Sequence, residues 1–113
     1  MATPLRIPAE HVSAILGPVF ATGAVSPRRA WSPDPAVPRA QRPQETDDQG
    51  IPLWDVSAVA LRHGSLTITV PSALPLLMAP ESPLALGDVT VGVSKAGAFW
   101  WRAASVQAGE VEA

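Results

Sequence analysis

The sequence predicts an all-β domain, and three observations point there. Apolar and polar residues alternate at period two in four separate segments, the mark of half-buried strands. Thirteen Pro and eight Gly among 113 residues are too many breakers for a helical bundle. A chain of 113 residues is also one domain's worth, so residues 1–113 are read as a single unit.

The elements follow in order. Residues 8–16 offer a short helical turn, with Glu10 early and Val12, Ile15 and Leu16 at helical spacing. From Pro18 to Val25 the pattern becomes extended, and Gly23 inside it marks a bulge or sharp bend. Residues 26–50 hold five Pro, four Arg and little aliphatic material besides Val37, so they are expected to form a long exposed loop. It closes on the acidic, turn-rich run Glu45-Thr46-Asp47-Asp48-Gln49-Gly50. Pro52–Ala60 then sets Trp54, Val56, Ala58 and Ala60 on one face of a strand. Arg62-His63-Gly64-Ser65 turns it into the cleanest strand of the chain, with Leu66, Ile68 and Val70 inward, and the pair is a hairpin.

Residues 71–86, with four Pro and six large aliphatics from Leu74 to Leu86, read as an apolar crossover with a turn of helix. Asp88–Val93 alternates again with Val89, Val91 and Val93 inward, and Lys95-Ala96-Gly97 turns into Phe99-Trp100-Trp101-Arg102. Phe99, Trp101 and Ala103 share the inner face of that last strand, while Trp100 and Arg102 share the outer one. Residues 107–113 are expected to be a frayed tail. Five strands with a bulged first strand and a long connection before the last two fit a small OB-like barrel, the five-stranded oligonucleotide- or oligosaccharide-binding type. A small sandwich accommodates nearly the same pattern.

Composition argues against several functions. No Cys is present, which removes disulfides, thiolate metal sites and Cys nucleophiles. No apolar stretch is long enough to span a membrane, and the Pro-interrupted N-terminus lacks a secretory leader's pattern, so a cytoplasmic protein is expected. His63, Ser65 and Asp55 read as polar turn and strand residues, not a triad, and Asp47-Asp48 lacks the spacing of a calcium loop. No enzyme, metal or cofactor is expected.

What remains is a binding surface. The net charge is only -2, yet Arg28, Arg29, Arg39 and Arg42 face a single acid, Asp34, within residues 26–44. Guanidinium both forks onto phosphate and stacks on bases. Trp31 lies among these arginines, where an uncovered indole calls for a ligand. Trp100 beside Arg102 has the form of a stacking platform for single-stranded bases. The candidate nucleic-acid-binding residues are therefore Arg28, Arg29, Trp31, Arg39, Arg42, Trp100 and Arg102.

Phe20-Ala21-Thr22-Gly23-Ala24-Val25, Arg39-Ala40-Gln41, Asp48 to Val56 and Leu86-Gly87-Asp88-Val89-Thr90-Val91 run in an order and spacing that resembles one family. It is the plasmid replication, integration and excision activator family of actinobacterial mobile elements, and the resemblance spans about residues 10–106. Gln49 stands where that family's Thr is expected, and the doubled Trp where a single aromatic is expected. The resemblance implies an accessory role in replication or transfer of a plasmid or integrative element, with regulation of its replication and integration genes. The expected partners are single-stranded DNA, a second copy of the chain or a replication protein. It implies no catalytic residues. The other class left open is a non-catalytic protein-interaction or oligomerisation module, favoured by net acidity and by Trp and Leu in excess of a small core's needs.

Overall fold

The computed structural model describes residues 4–30 and 34–108. Eight strands and one α-helix follow in chain order: β1 (Leu5–Ile7), α1 (Ala9–Leu16), β2 (Val19–Pro27), β3 (Leu53–Ala60), β4 (Gly64–Pro71), β5 (Pro83–Leu86), β6 (Val89–Val93), β7 (Phe99–Ala103) and β8 (Val106–Ala108), with a 3-10 turn at Arg39–Gln41 between β2 and β3. They form one mixed sheet in the order β1-β6-β7-β4-β3-β2-β5-β8, antiparallel throughout except for the β4/β7 pair. β1 and β8 end that order and do not pair with each other. The described residues are therefore all-β in character, with one short α-helix and a single 3-10 turn at Arg39–Gln41.

The β3/β4 hairpin is the centre. It runs in unbroken register from Leu53↔Pro71 to Ala60↔Gly64, and Gly64, at φ 104°, supplies a conformation that few side chains tolerate. Val56, Ala58, Leu66, Ile68 and Val70 are buried as their alternation predicts. Trp54 is only half-buried, because its indole N–H reaches the Ser72 carbonyl at 3.0 Å near the rim. Leu53, which alternation sets on the face opposite Trp54 and Val56, is buried as well.

β2 departs from a flat strand where Gly23 stands. Ala21 pairs with Ala58 and Val25 with Val56, so β2 carries two extra residues over this stretch and bends. Gly23 has φ 99°, and the Thr22 hydroxyl accepts the Ala24 N–H and donates to the Ser57 carbonyl, each at 3.3 Å. Before the bulge β2 also pairs with β5, through Val19↔Leu84 and Phe20↔Pro83.

The expected helical turn is α1. Val12 and Leu16, one turn apart, enter the core, while Ile15 is exposed. Its N-terminus is capped from far away in the sequence: Asp88 accepts the Ala9 N–H at 3.0 Å and pairs with Arg6 at 2.6 Å. These contacts hold the Asp88 carboxyl below its ordinary range, chiefly through the Arg6 hydrogen bond, and raise Arg6. At the other end Gly17, at φ 67°, stops the helix, and the Arg62 guanidinium donates to the Ala14 carbonyl at 3.0 Å.

Several expectations are corrected. Eight strand segments stand where five were expected: β1 was not foreseen, β5 falls in the expected crossover, and β8 takes up residues 107 and 108 of the expected tail. The crossover contains no helical turn, and Leu77 is 92% exposed. Val93 is 51% exposed and Phe99 is exposed as well, because the two pair with each other at the tip of the β6/β7 hairpin, beyond the core. Residues 26–50 are not a loop throughout. β2 extends to Pro27, and the stems are laced by Ala30 N–H to Pro43 O (2.9 Å), Glu45 N–H to Arg28 O (2.7 Å) and Arg28 N–H to Leu53 O (3.0 Å).

Candidate functional site

One row of residues crosses the outer face of the sheet in register. Arg6 stands opposite Thr90, Thr90 opposite Arg102, Arg102 opposite Thr69, Thr69 opposite Asp55, and Asp55 opposite Ser26. Neighbours in such a row lie about 4.7–4.9 Å apart in the pairing direction, so this is a continuous polar stripe over six strands. The inner positions of the same strands are buried apolar residues, which fixes which way the stripe faces.

Above the stripe lies an open cleft of about 400 Å³ lined by Arg28, Thr69, Ser94, Trp100, Trp101 and Arg102. The β6/β7 turn contributes Ser94, and the first residue after β2 contributes Arg28. Strand alternation places Trp100 and Arg102 outward, because Trp101 and Ala103 are buried. Trp100 retains 37% exposure, and Arg102 is exposed with no ion pair among the described residues.

Arg28 is differently placed. Its Nε donates to Glu45 at 2.8 Å, its Nη1 lies 3.5 Å from Asp55, and the same Nη1 donates to the Thr69 hydroxyl at 3.5 Å. Thr69 in turn donates to Asp55 at 2.8 Å beneath the guanidinium. Two carboxylates thus compensate Arg28, whereas Arg102, the other cation lining the cleft, has no ion pair among the described residues.

Of the seven residues the sequence nominated, the fold brings together Arg28, Trp100 and Arg102. Arg29 and Arg42 line no part of the cleft; they brace the loop, Arg29 donating to the Arg42 carbonyl and Arg42 to the Val37 carbonyl, both at 3.2 Å. Trp31 and the Arg39 side chain lie outside the described residues. Sequence reasoning missed Glu45, Asp55 and Thr69 as partners of Arg28. It also missed Gly92, which pairs with Trp100 and whose place inside an alternating strand was the available signal.

A second cleft, of about 310 Å³, lies on the other side of Arg102 and is bordered by Arg6, Asp47, Asp48 and Asp88. Among the described residues no cluster of three or more His, Cys, Asp or Glu could hold a metal ion, and no helix is long and apolar enough to cross a membrane. His63 sets its ring edge-on to Trp101, with centroids 5.1 Å apart. The comparisons identify no relative: no protein-family model, curated protein or solved structure matches the chain.

Proposed function

We propose that this chain is a non-catalytic module that binds single-stranded nucleic acid on the Trp100/Arg102 cleft of an OB-like barrel. The barrel reading rests on the ladders. Leu86↔Val106 and Val89↔Ala103 share one register, and between them Gly87 N–H donates to Ser105 O at 2.9 Å and Ala104 N–H to Asp88 O at 2.8 Å. Taken as single bent strands, β5–β6 and β7–β8 join β2, β3 and β4 into a circuit: β7 meets β4, and β5 meets β2. Five strands result, with the third and the fifth parallel. In barrels of this type the face of the second and third strands and the loops beside it take oligonucleotides or oligosaccharides. Here those strands are β3 and β4, and the flanking segments are 28–52 and 94–98.

The observation that carries the reading is an exposed Trp100 two residues from Arg102, inside a cleft where Arg102 makes no ion pair among the described residues. An indole beside a guanidinium suits one unpaired base and one phosphate, and each base–aromatic stack contributes about 1–3 kcal/mol. The family resemblance of residues 10–106 supplies the context: an accessory or regulatory protein in the replication or transfer of a mobile element, acting in the cytoplasm. The test is titration with single-stranded oligonucleotides, followed by tryptophan fluorescence at two salt concentrations. Quenching at low salt supports the reading, and its absence at tens of micromolar oligonucleotide with folded protein removes it.

A second reading has its own observation. Leu74 and Leu77 are both largely exposed on the loop between β4 and β5, and a groove there is lined by Val25, Leu76, Leu77 and Met78. An apolar surface of this kind suits a protein-interaction or self-association module. Sedimentation of the free protein across a concentration range distinguishes self-association from a monomer.

A further inference from the structure

Gly92 is the only residue of β6 without a side chain, and its backbone does not require glycine, since its φ lies outside the left-handed region. Space requires it. A Cβ built on Gly92 would fall among the indole atoms of Trp100, closest to Cζ2 and 2.5 Å from Cε2 and 2.8 Å from Nε1, along one edge of the ring. Real Cβ contacts do not come that close, so any other residue here must displace the ring or the strand. Gly92 is the cross-strand partner of Trp100, flanked by Val91 and Val93. Glycine in a strand interior weakens the strand, and close approach by another group is a physical reason to keep one.

From this we infer that Gly92 is a positioning residue for the nucleic-acid site. By leaving its own side-chain volume empty, it lets the Nε1 side of the Trp100 indole rest against the sheet and turns the remaining ring surface to the cleft. The inference rests on the single-strand reading of that cleft and deepens it, because a stacking surface fixed before binding spares the cost of ordering a free indole. The ligand class it implies is a flat unpaired base next to a phosphate at Arg102, not a duplex, whose bases offer no free faces.

The test is a double-mutant cycle on the full chain with a single-stranded oligonucleotide. Gly92→Ala should weaken binding toward the loss given by Trp100→Ala, which a single stack puts at about 5- to 150-fold. Added to Trp100→Ala, where the ring is gone, the same Gly92→Ala should change affinity little. Near-UV circular dichroism of the free protein reads the indole's order without ligand, and Gly92→Ala should reduce the part of the signal that Trp100→Phe also alters. Unchanged affinity in Gly92→Ala would overturn the inference. So would equal losses in both backgrounds, since they mark a general effect on the strand. If the unsubstituted protein binds no oligonucleotide, the single-strand reading fails, and the dichroism alone decides whether Gly92 orders the ring. An unchanged spectrum then overturns that too.

Discussion

Releasing Arg28 from its carboxylates should change how salt controls binding. Glu45 and Asp55 hold the guanidinium at 2.8 and 3.5 Å, and replacing both, as Glu45→Gln with Asp55→Asn, keeps acceptors in place while removing two negative charges. The Arg28 and Glu45 side chains are each more than a third exposed, so solvent screens their pair, and Asp55 is the more enclosed partner at 12%. Each such pair contributes about 0.2–1 kcal/mol, so the double substitution should lower stability by less than about 2 kcal/mol. The binding consequence is sharper. With Arg102 as the lining cation that makes no ion pair among the described residues, the logarithm of affinity should fall with the logarithm of salt at a slope of about 0.7 for a single strand. Freeing Arg28 adds a second phosphate contact and should take that slope to about 1.4. Fluorescence titration at four salt concentrations measures the slope, and urea denaturation measures the stability. A wild-type slope near 1.4, unmoved by the double substitution, would show that Arg28 contacts phosphate despite its carboxylates and refute the reasoning.

Three further outcomes are expected. Ile68 is almost fully buried at the centre of β4, so Ile68→Ala should cost about 2–5 kcal/mol in urea denaturation; a loss under 1 kcal/mol would mean that the core closes around the gap. Asp88 is held below the ordinary carboxylate range, so its contribution is complete above about pH 4 and disappears as pH falls through its lowered value. Stability measured from pH 6 to pH 2 should therefore fall less steeply in Asp88→Asn than in the unsubstituted protein, and parallel curves would contradict this. Leu77 is 92% exposed, so Leu77→Lys should leave stability within about 0.5 kcal/mol. If the chain self-associates through that loop, the same substitution should dissociate it in sedimentation.

Period-two alternation made the centre of the sheet legible. Leu66, Ile68 and Val70 could not face outward without exposing three aliphatic side chains, and the bend at Gly23 was readable because glycine interrupts an otherwise regular strand. Short strands were harder to see. β1 has three residues and gains its place by pairing with β6, more than eighty residues away in the chain. Val93 and Phe99 kept the alternation but lost the burial, because alternation says which face a residue takes and not how far the core extends beneath it. The site divided in the same manner. Trp100 and Arg102 were legible as outward neighbours on one strand. The loop arginines were not separable by sequence, since a local charge excess does not reveal that Arg29 and Arg42 turn to loop carbonyls or that Arg28 meets Asp55 on β3.

The adjacency of Trp100 and Trp101 ties the proposed site to the core. Trp101 is buried and Ala103 fully so, and the parallel pairing Ile68↔Trp101 and Thr69↔Arg102 joins β7 to the central hairpin. A strand anchored at alternate positions cannot rotate about its axis without exposing Trp101, so Trp100 and Arg102 are held outward by burial they do not themselves provide. On the other flank β6 supplies the gap at Gly92. The outward pair is thus set by three independent constraints: an inward tryptophan, a parallel neighbour and an absent side chain. A surface needed only for solubility would require none of them, since Lys or Glu in place of Trp100 would serve it. That contrast, an exposed indole on a fixed strand over a residue that makes room for it, is the physical argument for a ligand at this face.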